Sequence, residues 1–122
     1  MYKGMEHTAI ATPDPESLAQ WYEKTLNFRI NHRYGGNVFV KAPDGTMLEF
    51  ITSAGDPVKT EVKTPGIRHL AIATDNFDAD EKELVGKGVE IWDRINAGGN
   101  RLAFFSDPEG NILHLIHRDQ TI

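Results

Sequence analysis

The sequence predicts an α+β fold made of two tandem copies of one unit, each with a strand, a helix and three more strands. Two internal repeats lead to this prediction. Residues 5–12 read MEHTAIAT, and residues 67–74 read IRHLAIAT. Residues 42–51 read APDGTMLEFI, and residues 107–116 read DPEGNILHLI. The copies lie 62 and 65 positions apart (67 − 5 and 107 − 42), so two units account for almost all of the 122 residues.

Composition limits the class of protein. The chain is 39% hydrophobic and 25% charged, an ordinary globular balance. Its net charge of −5 argues against a nucleic-acid or anionic-membrane partner. Without cysteine it has neither disulfides nor a thiolate metal site. No apolar run approaches the roughly 20 residues of a membrane span, and residues 1–6 lack the apolar core of a signal peptide. We therefore expect a soluble cytoplasmic protein.

In the first unit, alternation over residues 5–12 predicts a strand. Asp14 suits the N-cap of the following helix, Pro15 its first position and Asn27 its end. An apolar stripe at helical spacing comprises Leu18, Trp21, Tyr22 and Leu26. Three further strands are predicted at 28–34, 38–42 and 46–52, separated by glycine-containing turns.

The second unit repeats this order after a linker rich in glycine, proline and charge. We predict a single domain over residues 1–122, with module one at about 1–53, the linker at about 54–65 and module two at about 66–122. Its predicted elements are a strand at 67–74, a helix opened by residues 75–78 and ended by Gly88, and strands at 89–95, 101–105 and 111–117.

Strand alternation indicates where candidate metal ligands point. His7 shares a face with small alanines, as does His69, which leaves room beside each ring. Glu49 and His114 occupy matching places on the fourth strand of each unit. A lone histidine on a strand is more often a packed or surface residue, but four candidates at repeat-matched places favour a metal site. Imidazole and carboxylate suit zinc, nickel, iron, manganese or cobalt, and we prefer zinc or nickel. His117 falls on the opposite face from His114 and is expected at an edge or surface.

Other polar residues have two interpretations. Arg33 and Arg94 match between units (94 − 33 = 61) and could bind a substrate carboxylate or phosphate, or form surface salt bridges. Arg101 and Phe105 are grouped with them as candidate substrate-binding residues. His32 and Tyr34 lie on a strand that could line a cavity, but sequence alone does not decide which way they face.

The two-unit layout, the paired His-x-Ala-Ile-Ala strands and the Asp-Pro-Glu-Gly-Asn turn resemble the glyoxalase, bleomycin-resistance and extradiol-dioxygenase (vicinal oxygen chelate) superfamily. The resemblance covers essentially the whole chain. It implies two βαβββ modules whose curved sheets enclose a metal site, with ligands from the first and fourth strands: His7, Glu49, His69 and His114. His114 departs from the carboxylate usual in glyoxalase I, which puts that particular activity in question.

Three functions follow. The first is a metal-dependent lyase or isomerase, in which Glu49 transfers a proton and the metal stabilises an enolate of a small oxygen-chelating substrate. The second is a non-haem iron enzyme that cleaves catechol-like rings, since two histidines and one carboxylate are its ligand set. The third is a drug-binding resistance protein without catalysis. The two modules could pair within one chain or exchange across a dimer, and free sheet edges favour a homodimer.

Overall fold

A computed structural model describes all residues, 1–122, as two helices and eight strands. The chain divides into two compact units, Met1–Pro57 and Val58–Ile122, and the division falls within the predicted linker. The first unit contains β1 (His7–Thr12), α1 (Pro15–Leu26), β2 (Arg29–Tyr34), β3 (Asn37–Lys41) and β4 (Met47–Thr52). The second contains β5 (His69–Ala73), α2 (Phe77–Gly86), β6 (Asp93–Ala97), β7 (Asn100–Ser106) and β8 (Ile112–Arg118). The predicted pair of βαβββ units is confirmed.

Each unit has its own four-stranded mixed sheet. The strand orders are β1-β4-β3-β2 and β5-β8-β7-β6. In both sheets the first strand runs parallel to the fourth, and the other neighbours are antiparallel. This topology sets the first and fourth strands of each unit side by side, so that Ala9 pairs with Glu49 and Ala71 with His114.

The helix α1 begins and ends at the predicted residues. The Asp14 side chain accepts a hydrogen bond from the Ser17 backbone N–H at 3.1 Å, which caps the first turn. Asn27 ends the helix in the left-handed conformation at φ 59°, which asparagine tolerates better than most residues. Tyr22 is fully buried against Phe50, with ring centroids 5.0 Å apart.

The predicted strand at residues 89–95 begins later than expected, at Asp93. The reason lies at the end of α2, where Gly88 takes a positive φ of 88° and the Val89 N–H donates to the Leu84 carbonyl. Val89 therefore still closes the helix and is not free to join the sheet. Neither helix is long and apolar enough to cross a bilayer.

Candidate functional site

The first unit brings His7 and Glu49 together, as the repeat predicted. His7 Nε2 lies 3.4 Å from Glu49 Oε1. Glu49 is only 7% exposed, although its neighbour across the strand pair is the small Ala9. A buried carboxylate requires polar partners to offset its lost hydration. The pairing of β1 with β4 provides one such partner.

A second partner of Glu49 is Tyr34, whose hydroxyl donates to Glu49 Oε2 at 2.7 Å. The two carboxylate oxygens therefore have different surroundings. The phenol occupies a lone pair of Oε2, while Oε1 faces the His7 imidazole. This arrangement orients the carboxylate and leaves Oε1 as the oxygen better placed to bind a cation or accept a proton.

A β-bulge decides that Tyr34 and His32 face Glu49. Ile30 pairs with Val40, but the register then shifts so that His32 pairs with Phe39. Phe39 in turn pairs with Glu49, and cross-strand partners share a face of the sheet. The His32 ring lies 5.7 Å from both Tyr34 and Phe39. Without the extra residue, alternation would turn His32 and Tyr34 to the opposite face.

The contacts of His7 indicate its tautomer. His7 Nδ1 lies 2.9 Å from Glu6 Oε1, so we assign the ring hydrogen to Nδ1. In the neutral ring, Nε2 then presents a lone pair toward Glu49 Oε1, and two acceptors face each other at 3.4 Å. Either a proton on Nε2 or a cation bound by both atoms stabilises this contact.

The second unit brings His69 and His114 together. Their ring centroids are 4.7 Å apart, and Phe104 packs 4.9 Å from the His114 ring. His114 is buried, and its Nδ1 lies 3.1 Å from the Leu115 carbonyl, to which it donates in the neutral ring. Nε2 then keeps its lone pair. Burial lowers the pKa of His114, because the apolar surroundings disfavour the charged ring. A neutral imidazole is the form that binds metals.

The lowered pKa predicts how stability depends on pH. The pKa of the histidine ring in the unfolded chain is about 6.5. Between that value and the lowered folded pKa, the unfolded chain binds more protons, so stability falls as pH decreases through this window. We expect the melting temperature of metal-free protein to drop between pH 7.5 and 5, and His114→Leu to flatten that drop. His117→Leu is the control. A wild-type slope in His114→Leu would contradict the prediction.

No group of three or more His, Asp or Glu side chains is arranged to hold a metal ion. The predicted ligands instead occur in pairs, His7 with Glu49 and His69 with His114. Each pair has the donor chemistry of a divalent-metal site: imidazole with carboxylate in one unit and two imidazoles in the other. The donor chemistry of each pair, which we call a half-site, suits a divalent metal, and the four-ligand centre stays a prediction.

The matched arginines lie on the other face of each sheet. Arg33 donates to both carboxylate oxygens of Glu16 in α1, at 2.9 and 2.7 Å. Arg94 Nε donates to Glu81 of α2 at 2.7 Å. Glu16 is the second residue of α1, whereas Glu81 is the fifth residue of α2, so the arginine recurs in the repeat and its carboxylate partner lies about one helical turn later in the second unit. The arginine match is explained by a helix-to-sheet ion pair in each unit, which favours the salt-bridge interpretation.

Arg101 and Phe105 also lie on the helix-covered face. Arg101 Nη2 lies 2.8 Å from Asp78, and its guanidinium stacks 4.3 Å from the Phe77 ring. Phe105 is fully buried and pairs with Leu113. All four candidate substrate-binding residues therefore lie on the face opposite the histidine and glutamate pairs, where they contact the helices or the core.

His117 occupies the face predicted for it. It pairs with Arg101 on β7, whereas His114 pairs with Phe104. Its Nδ1 lies 3.5 Å from the Thr74 carbonyl, and its side chain is 38% exposed. His117 is therefore a partly exposed residue away from the half-sites.

The fold and the paired donors are typical of one class of proteins. Comparison with known families identifies that class. The sequence profile described as the Glyoxalase/Bleomycin resistance protein/Dioxygenase superfamily matches residues 4–115. The chain belongs to this superfamily, whose members bind small molecules and often form dimers. No curated protein sequence is significantly similar to it.

Solved structures agree with this assignment. The oxidase ChaP-H2 is 24% identical with a TM-score of 0.77, covering 97% of this chain and 95% of that one. A glyoxalase family protein from Enterococcus faecalis is 25% identical with a TM-score of 0.76, covering 95% and 98%. TnmS3, an antibiotic binding protein from Streptomyces sp. CB03234, is 27% identical with a TM-score of 0.72, covering 93% and 94%. Proteins of different function thus share this fold, and the site must decide among them.

Proposed function

We propose that this protein is a glyoxalase-like, divalent-metal-dependent lyase or isomerase that moves a proton on a small substrate with two neighbouring oxygens. The observation that carries the proposal is the environment of Glu49. It is the one carboxylate among the repeat-matched ligands, it is buried, and Tyr34 holds one of its oxygens while the other faces His7. A positioned, partly desolvated carboxylate is suited to general-base catalysis.

We further propose that His7, Glu49, His69 and His114 hold one divalent ion, with zinc or nickel preferred and iron, manganese or cobalt as alternatives. The repeat and the two half-sites support this set. The bound ion would supply Lewis-acid stabilisation of an enolate oxygen. Because each half-site contributes only two donors, the centre needs both pairs, either from one chain or from the two chains of a homodimer.

Within this proposal, Glu49 acts as the base through Oε1. Its partner oxygen accepts the Tyr34 hydrogen bond, so a proton taken from the substrate arrives at the oxygen without that bond. The Tyr34 hydroxyl limits rotation of the Glu49 carboxylate. Less conformational entropy is therefore lost when the carboxylate is positioned for each turnover. The Tyr34 ring in turn stacks on the buried Phe39, which helps to fix the position of the hydroxyl.

Tyr34→Phe tests this role of the hydroxyl. The variant keeps the ring that stacks on Phe39 and removes one hydrogen bond. We expect metal affinity to fall about tenfold, since groups that orient ligands are commonly worth ~10–100-fold in affinity. The measurement is a competition titration against a chelator dye. Tyr2→Phe, which removes a tyrosine hydroxyl at a fully exposed position, is the control. It should bind metal as tightly as wild type.

A ring-cleaving iron dioxygenase is the second candidate, and one observation favours it. The bulge places His32 and Tyr34 on the same face as Glu49, where such an enzyme would use an acid–base partner. A drug-binding function without catalysis is a third candidate, because TnmS3 is an antibiotic binding protein and shares 27% identity.

Metal analysis of protein purified without chelators separates these candidates. Zinc or nickel at about one ion per chain, with proton exchange from a hemithioacetal or hydroxyketone into deuterated solvent, supports the lyase or isomerase. Iron with oxygen consumption on catechols would replace the first proposal with the second. Protein free of metal that binds an antibiotic would support the third.

A further inference from the structure

Arg29 and Lys41 form a pair of like charges on adjacent strands of the first unit. Arg29 opens β2, and Lys41, the last residue of β3, is its direct partner in the register. Like charges directly opposite each other destabilise a strand pair. Neither side chain forms an ion pair. Their repulsion is therefore not offset within the chain.

The carboxylates closest in sequence accept hydrogen bonds from other groups and form no ion pair with Arg29 or Lys41. Asp44, in the turn after β3, accepts from both the backbone N–H and the hydroxyl of Thr46, at 3.0 and 2.7 Å. Glu23, in α1, accepts from the Ile30 N–H at 3.0 Å. An anion from outside the chain is thus the natural partner of the two cations.

A cavity of about 330 Å³ lies at this end of the sheet. It is lined by Asn27, Arg29, Lys41, Ala42, Pro43 and Gly45. The volume is sufficient for a carboxylate or phosphate group with its hydration. Both cations line the cavity, and no acidic residue does, so its charge is positive in a protein whose net charge is −5.

The second unit lacks this feature. Ser106 occupies the place of Lys41, 65 positions later (106 − 41), and pairs with Ile112 as Lys41 pairs with Met47. There the Trp92 indole N–H donates to the Ser106 hydroxyl at 3.1 Å. The second unit therefore forms the same fold at this place without cations. The charged pair is thus not required by the βαβββ unit.

Lys41 lies on the same face of the first sheet as Glu49. Lys41 and Phe39 are two residues apart on β3 and so share a face, and Phe39 pairs with Glu49. Two residues along a strand span roughly 7 Å. The backbone of Lys41 therefore lies roughly 7 Å along β3 from the partner of Glu49, a separation that a small molecule can span. A substrate that combines two chelating oxygens with an anionic group matches this spacing.

We propose that Arg29 and Lys41 form an oxyanion subsite that binds the carboxylate or phosphate group of the substrate. Its role as a substrate subsite rests on the proposed function, whereas its capacity to bind an oxyanion does not. Arginine supplies a planar fork of donors for two oxygens, and lysine adds a point charge.

The first experiment titrates metal-free protein with inorganic phosphate at constant ionic strength, by calorimetry. We expect saturable binding that Arg29→Gln and Lys41→Gln each weaken at least tenfold. Lys24→Gln removes the same charge from an exposed position of α1 and should leave affinity unchanged. Both subsite variants should melt at or slightly above wild type, because they remove a like-charge pair. No saturable binding, or equal weakening by Lys24→Gln, would overturn the proposal.

The second experiment compares catechol with 3,4-dihydroxybenzoate on metal-loaded protein. The two chelators share neighbouring oxygens and differ by one carboxylate. We expect at least tenfold preference for the benzoate, lost in the Arg29→Gln/Lys41→Gln variant. Equal binding of both by wild type would reject the substrate role and leave a site for free anions. If the chain binds no metal, the proposed function and the substrate role both fail, and phosphate titration still decides whether the cavity binds oxyanions.

Discussion

Replacing Glu49 with glutamine should lower turnover by about 10²–10⁴-fold while metal is partly retained. The amide oxygen can still coordinate a cation, although more weakly, but it does not accept a proton at neutral pH. A positioned base commonly contributes ~10²–10⁴-fold. The single amide oxygen takes the place of only one of the two carboxylate oxygens, so it serves either the cation or the Tyr34 hydroxyl, and this also weakens metal binding.

The measurement is single-turnover proton exchange into deuterated solvent, with metal content determined on the same samples. Rates are compared at equal metal occupancy, so that weaker coordination is not counted as lost catalysis. Glu109→Gln, at an exposed position of the turn before β8, is the charge-matched control. Exchange at the wild-type rate by metal-loaded Glu49→Gln would show that another residue is the base. His32 and Tyr34, on the same face, would then be the next candidates and the dioxygenase would gain support.

Removing one histidine from each half-site should abolish most metal binding. In His7→Ala/His69→Ala, each half-site keeps one donor, Glu49 or His114, so the proposed centre falls from four ligands to two. A ligand present at 100 times its Kd stabilises the folded state by about 2.7 kcal/mol. Wild-type protein should therefore melt several degrees higher with metal than without it, and the double variant should show no such increase.

The comparison uses the metal-dependent increase in melting temperature, because each substitution also changes the stability of the metal-free protein. His117→Ala is the matched control, since His117 is a partly exposed histidine on the opposite face of the second sheet. The His117→Ala variant should keep the full metal-dependent increase in melting temperature and the full metal content. Full metal occupancy in His7→Ala/His69→Ala would refute the proposed ligand set. Loss of metal in His117→Ala would mean that His117 is itself a ligand.

Local patterns were sufficient to predict the fold. Alternation along a strand and the capping residues of a helix act within a few positions, so β1 and α1 could be located from residues 5–27 alone. The repeat then extended the same prediction to the second unit. It also identified which strands carry candidate ligands, because matching positions in two copies of one unit share a face. The pairing of His7 with Glu49 followed from that symmetry.

The repeat was less informative about the arginines. It showed that Arg33 and Arg94 correspond, but a matched residue can serve either the fold or the site. Only the packing of each helix on its sheet distinguished the two, by placing Glu16 and Glu81 within hydrogen-bonding distance. The two arginines thus recur because each bonds a glutamate of the helix in its unit, whereas the matched histidines lie on the opposite face of each sheet.

By itself the sequence determined the two βαβββ units, the bounds of most elements and the faces of the four candidate ligands. These depend on periodicity and capping, which are local. The tertiary structure decided which residues surround Glu49, how deeply His114 is buried, and that Arg29 and Lys41 stand opposite each other. All three depend on strand register and on one bulge, which arise from contacts between segments far apart in the chain.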